Sequence, residues 1–229
     1  MKVLLAQWGE VGAPELYQVA TELQKRGHKI VYWVVVDPTP TSILAQFPSV
    51  IFHRHGAALR GRPADGVDAS GFPPPGEELL RELYETESNI LTMMNKLLWQ
   101  LSLSERKHLY YEMVRYWSGI LRRFEPELIV FPLVPHTVYD LVIYALAKKN
   151  GIRTLMFTAT QDFVRLLPMN EYEKGHSLLQ DEMEKQRGKQ FLPEDLSADI
   201  LQYYRKHTEP FADPTPPNMK NLREKYGAK

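Results

Sequence analysis

The chain has 229 residues, 44% of them hydrophobic, enough for one large domain or one domain with a substantial insertion. Its 28 Lys and Arg balance 28 Asp and Glu, so no net field draws it to nucleic acid, although a local basic patch is compatible with that balance. The absence of cysteine excludes disulfides, thiolate zinc sites and a cysteine nucleophile, and it suits a reducing cytosol.

The first 37 residues read as one unit. An apolar run, Lys2 to Ala6, leads into the loop Gln7 to Pro14, and a helical pattern follows from Glu15 to Arg26. Gly27 stops that helix, and a second apolar run, Lys29 to Val36, closes on Asp37. Strand, glycine loop, helix, strand is an opening βαβ unit. Pro38 to Thr41 then breaks the sheet pattern, Ser42 to Phe47 makes a helical turn or two, and Val50 to His53 reads as a short third strand. His55 to Gly76, rich in Gly, Pro and Asp, is expected to be a long loop, and loops of that length are usually functional or mobile.

Glu77 to Gln100 and Leu103 to Phe124 carry the strongest helical signal, with Leu79, Leu80, Leu83, Ile90, Met93, Met94, Leu97 and Leu98 recurring at helical spacing. Ser102 followed by Glu105 fits a capping box that starts the second helix. Tyr110, Tyr111, Tyr116 and Trp117 crowd that helix, either as core or as a partner surface. The α/β pattern then returns as strand Glu127 to Phe131, turn Pro132 to Thr137, helix Val138 to Lys149, an Asn150-Gly151 stop and strand Ile152 to Phe157. These lengths imply a parallel sheet with crossover helices. Beyond it, helices are expected over Tyr172 to Lys189 and Leu196 to His207. The fold class is therefore α/β: a Rossmann-like parallel sheet with a long helical insertion at about 77–124, all within a single domain over 1–209, with a Pro-rich linker or tail at 210–229.

In open α/β sheets, ligands bind beyond the carboxyl ends of the strands, so the loops there hold the candidate residues. Gly9-Glu10-Val11-Gly12 is a GxxG rather than the full dinucleotide fingerprint. Asp37 at the end of the second strand keeps a nucleotide or NAD reading open, while Glu10 would set a negative charge against a pyrophosphate. A carboxylate at such a position suits a general base toward a hydroxyl, or a cap on the helix start. His53 and His55 alternate on an extended segment and would face one side. With no evident third ligand no metal is expected there, and His53 and Arg54 instead suit a phosphate or acidic sugar, or form a basic turn with Arg60 and Arg62. His136 and Asp140, four apart at a helix start, could orient one another, bind a ligand or cap the helix. Thr158, Thr160, Gln161 and Asp162 either continue this polar rim or begin a helix.

The segments MKVLLAQWGEVGAPELYQVATELQKRGHKIVYWV and ELIVFPLVPHTVYDLVIYALAKKNGIRTLMF resemble the N-terminal, acceptor-side domain of GT-B glycosyltransferases that build bacterial capsular and other surface polysaccharides. The resemblance spans roughly residues 1–160 and rests on a pattern that many Rossmann-like domains share. It implies an acceptor-side transferase half with Glu10 as catalytic base. Gly9, Gly12, His53, Arg54, His136 and Asp140, from the loops read above, are then expected around a carbohydrate acceptor. A cytoplasmic location is expected because no apolar run is long enough to span a membrane and no signal-peptide layout is visible. No cofactor is expected of this half, and the nucleotide-sugar would come through a second domain, since about 70 residues after Phe157 are too few for one. No nucleic-acid partner is expected, while peripheral membrane association and homo-oligomerisation stay open. The rival readings are a non-catalytic binding or assembly domain with a helical partner surface, and a nucleotide- or NAD-binding Rossmann enzyme.

Overall fold

The structure, a computed structural model, describes residues 1–6, 15–36, 41–160, 165–208, 215 and 217–227. Met1–Thr158 together with Pro168–Gly175 forms one compact unit, and Ala159–Leu167 with His176–Lys229 forms a second.

The first unit is built on a sheet in the order β3-β2-β1-β4-β5-β6, with β1 at Lys2–Leu5, β2 at Lys29–Val35, β3 at Ile51–Arg54, β4 at Leu128–Val130, β5 at Arg153–Ala159 and β6 at Leu166–Met169. From β3 through β5 every pairing is parallel. The protein thus has a Rossmann-like α/β fold, as its sequence predicts. The short connection from β5 to β6 leaves no room for a crossover, so β6 runs antiparallel at the edge.

Side-chain alternation along the strands creates two cores. One face presents Leu4, Tyr32, Val34, Ile129 and Phe131, packed with residues of α6 (Leu103–Phe124) and α7 (Val138–Lys149). The other presents Val3, Leu5, Ile30, Trp33 and Val35, packed with Tyr17 and Ala20 of α1 (Glu15–Lys25) and with Ile43 of α2 (Thr41–Gln46). Both crossover helices end on a left-handed glycine. Gly27 has φ 79° with His28 N–H donating to Leu23 C=O, and Gly151 has φ 64° with Ile152 N–H donating to Ala147 C=O.

Between β3 and β4 the chain runs through α3 (His55–Leu59), α4 (Glu77–Glu82), α5 (Tyr84–Leu97) and α6. The predicted helix from Glu77 to Gln100 is broken at Leu83, whose φ of −93° and ψ of 11° leave the helical range, although no glycine or proline marks the break. Ser102 caps α6 as its sequence predicts, with Glu105 Oε2 accepting from the Ser102 N–H at 2.8 Å. The supposed loop from His55 begins as a helix, and its remainder is pinned onto α6. Arg115 Nη1 donates to the carbonyls of Ala69 at 3.1 Å and Phe72 at 3.3 Å, while Ala64, Val67 and Ala69 are buried. A Cβ on Gly119 of α6 would stand 2.2 Å from the Phe72 ring, so this glycine is what lets the loop lie so close.

In the second unit, α8 (Ser177–Lys185) and α9 (Ala198–Thr208) contain no buried residue, and a 3-10 turn at Pro193–Asp195 separates them. A further helix, α10 (Pro217–Tyr226), occupies part of the predicted Pro-rich tail. Among the described residues no helix is long and apolar enough to cross a membrane.

Candidate functional site

The order β3-β2-β1-β4-β5 reverses direction between β1 and β4, and a parallel sheet opens a crevice at the carboxyl edge where this happens. Ala6 N–H donates to Val130 C=O at 2.9 Å and Phe131 N–H to Leu155 C=O at 2.8 Å, so β1 and β4 run out side by side there. Glu10, Gly9 and Gly12, which follow β1, lie outside the described residues, as do Asp37, Gln161 and Asp162. The other side of the reversal, from Phe131 into α7, is described.

There the first turn of α7 is organised by Asp140. Its carboxylate accepts from the backbone N–H of Thr137 at 2.8 Å and of His136 at 3.0 Å, so the aspartate caps its own helix and fixes the turn. Capping, one of the three roles open from the sequence, is thus what Asp140 does. It is buried, and burial pushes its carboxyl up to about 6 against the lowering effect of the two N–H bonds.

His136 is exposed, and its Nδ1 lies 2.9 Å from the carbonyl of Val134. A carbonyl only accepts, so Nδ1 donates to it, and Nε2 takes no part in that bond. The histidine is thereby held with one hydrogen-bonding nitrogen uncommitted to that anchor. Leu133, also exposed, adds an apolar surface to the same turn.

The two histidines of the third strand part company. β3 ends at Arg54 and His55 opens α3, so the expected common facing of His53 and His55 does not hold. His55 Nδ1 lies 2.8 Å from the hydroxyl of Tyr139, which joins the end of β3 to the first turn of α7. Arg54 is exposed at that same edge. His53 instead is 1% exposed.

His53 sits in a chain of hydrogen bonds whose direction is fixed at both ends. Nε2 lies 2.8 Å from Arg62 C=O, so it must donate, and Nδ1 must then accept from Tyr32 Oη at 2.8 Å. Tyr32 Oη in turn accepts from Tyr116 Oη at 2.8 Å, and Tyr116 Oη accepts from Ala64 N–H at 2.9 Å. Both ring nitrogens are committed, which leaves no atom for the phosphate or acidic sugar anticipated from the sequence. His53 is a core residue that ties β2, β3, α6 and the 60–76 loop together.

Burial drives the His53 pKa down to about 4, with the Arg62 carbonyl and Asp65 acting in the opposite direction. A depressed histidine pKa means that folding favours the neutral ring. Its stabilisation is complete above the ordinary value of 6.5 and is lost as pH falls through 6.5 toward 4. Asp140, with its raised pKa, contributes the opposite slope between 3.8 and about 6. The stability difference between wild type and His53→Phe isolates the histidine. Urea unfolding should find that difference about 3 kcal/mol larger at pH 7 than at pH 4. A pH-independent difference would remove His53 as the titrating group.

No family model, curated protein or solved structure matches the chain. The site must therefore be read from its own chemistry. Among the described residues no group of three or more His, Asp or Glu could hold a metal ion. Thr158, at the end of β5, is half-buried, and the Thr160 N–H donates to the Arg165 carbonyl at 2.9 Å. The contacts that sequence reasoning missed, His55 with Tyr139 and Tyr32 with Tyr116, each join residues 84 apart, and no local spacing signals them.

Proposed function

We propose that the chain is the acceptor-side half of a glycosyltransferase acting on surface carbohydrate, with its acceptor bound at the carboxyl edge of the sheet between β1 and β4. The observation that carries this reading is the strand-order reversal between β1 and β4, at whose carboxyl edge the His136 turn begins α7. A sugar acceptor needs hydrogen-bonding partners of both kinds and a flat apolar contact. His136 supplies a ring nitrogen for hydrogen bonding, Arg54 a cation and Leu133 an apolar surface at this edge.

In this mechanism Glu10 takes the proton from an acceptor hydroxyl as that oxygen attacks the anomeric carbon of a nucleotide-sugar. The bond to the leaving nucleoside diphosphate breaks as the glycosidic bond forms, and the proton ends on the Glu10 carboxylate. The donor comes from a nucleotide-sugar-binding domain, in the same polypeptide or another. Asp140 has a positioning role, since its two backbone bonds set the turn that carries His136.

Glu10→Gln, assayed with the donor-binding domain present, should lower turnover by roughly 100-fold or more, the usual contribution of a general base, with little change in melting temperature. Turnover equal to wild type would sink the assignment. The partner-surface rival loses its main support, because Tyr110, Tyr116 and Trp117 are buried in the core.

A further inference from the structure

We propose that the turn between α5 and α6 docks the protein onto an anionic lipid surface. The chain there reads Leu97-Leu98-Trp99-Gln100-Leu101-Ser102-Leu103, and it leaves Trp99 68% and Leu103 63% exposed. Trp33 and Trp117, by contrast, are fully buried. Two large apolar side chains standing in water on one short turn mark a contact surface, and tryptophan in particular favours the boundary between lipid headgroups and acyl chains.

The turn is held rather than frayed. Arg106 donates from Nε to Leu101 C=O at 2.8 Å and from Nη2 to Trp99 C=O at 3.3 Å, and it also bonds the Asn95 side chain. Leu98 N–H donates to Met94 C=O at 2.8 Å and Leu101 N–H to Leu98 C=O at 3.1 Å. Trp99 is therefore presented by a backbone that is already ordered, so docking carries little further entropy cost. Beside the turn lies a groove of about 900 Å³ whose lining combines Leu97, Leu98, Leu101 and Leu109 with Arg60 and Arg62 and with Glu105 and Glu112.

Charge decides the occupant. Lys96, Arg60 and Arg62 have no carboxylate partner among the described residues. Of the acids that line the same groove, Glu112 pairs with Arg115 at 2.7 Å, while Glu105 accepts only from the neutral Ser102 in the capping box and keeps its charge, so the unpaired cations outnumber the unpaired acids there. A chain of balanced overall charge thus sets unpaired cations in the groove beside the turn that exposes Trp99 and Leu103, the combination that suits acyl chains beneath anionic headgroups. A neutral apolar partner would leave those cations unmatched. This docking is independent of any sugar chemistry, and its test involves no acceptor or donor.

The test is sedimentation of the protein with vesicles of phosphatidylcholine, alone or with added phosphatidylglycerol, at low and high salt. Binding is expected only with phosphatidylglycerol and should weaken with salt. Trp99→Ser with Leu103→Ser should lower it by roughly tenfold or more, and Arg60→Gln with Arg62→Gln by a similar factor, with melting temperatures unchanged. Brominated lipid should quench the fluorescence of wild type strongly and of Trp99→Phe weakly, which places the contact at this turn even where binding persists. No vesicle binding, or undiminished binding by the Trp99→Ser, Leu103→Ser variant, overturns the proposal.

Discussion

Replacing His53 with Phe is expected to destabilise the fold by about 2–5 kcal/mol at pH 7, because the substitution keeps the ring and removes both hydrogen-bonding nitrogens. Arg62 C=O loses its donor, and the Tyr116–Tyr32 chain loses the acceptor on which it ends, with His53 and Tyr32 both buried. An unsatisfied buried group costs about 1–3 kcal/mol, and two are left here. The damage should be spatially specific. Hydrogen exchange ought to quicken first in the 60–76 loop, whose Ala64 N–H and Arg62 C=O are the two ends of the chain. If His53→Phe unfolded at the same urea concentration as wild type, the network would be ornamental. Tyr32→Phe gives a second reading, since it severs the same chain in the middle and should follow the same regional pattern.

Trp117→Ala should cost about 3–5 kcal/mol, the range for a large aromatic removed from a core. Trp117 is the point where three elements meet. Its ring stacks on Tyr139 of α7 at 6.0 Å and 25°, meets Tyr32 of β2 edge-on at 5.7 Å, and lies 5.5 Å from His53 of β3. Truncation leaves a cavity between sheet and helices that these rigid rings fill poorly. Trp117→Phe should retain most of the stability, since a smaller aromatic ring still bridges Tyr139 and Tyr32. A loss below about 1 kcal/mol for Trp117→Ala would show that the helical insertion is not anchored through this residue. Tyr139 links this core to the site. The residue that stacks on Trp117 also bonds His55, so damage to the core should also displace the end of β3.

Much of this architecture is legible in the sequence because it rests on local signals. Gly27 and Gly151 end helices for the backbone reason that places glycine there, and Ser102 with Glu105 starts α6 through a bond that spans three residues. Strand periodicity likewise marks β1 to β5. The errors fall where long-range packing overrides local preference. α3 has only five residues, too few to signal itself, and Ala58 is buried in the core beneath it. β6 contains Pro168, which an edge strand tolerates but which speaks against a strand when read locally. The break at Leu83 has no breaker residue, and α10 begins in a proline-rich stretch that reads as a linker.

The carboxyl edge that holds the candidate residues was legible, but how His53 and Asp140 are engaged was not. That edge follows from the βαβ pattern, whereas the position of Asp140 in the first turn of a helix leaves capping as one of three open roles. The burial of His53 has no local signal. Its partners lie on β2 and α6, and beside Arg54 in the sequence it reads as one member of a basic turn. A histidine among charged neighbours carries the same local signal whether it faces solvent or core, and only the tyrosines that meet it distinguish the two.

We propose the edge between β1 and β4 as the seat of a sugar acceptor. Backbone amide NMR of this chain, titrated separately with a panel of surface oligosaccharides and with nucleoside diphosphates and NAD, tests it most directly. Saturable shifts are expected with an oligosaccharide, centred on Ala6, Phe131 and the His136–Thr137 turn and weakened by His136→Ala, with no comparable response to the nucleotides. Shifts at that turn produced by a nucleotide alone, or oligosaccharide shifts located elsewhere on the molecule, would contradict it.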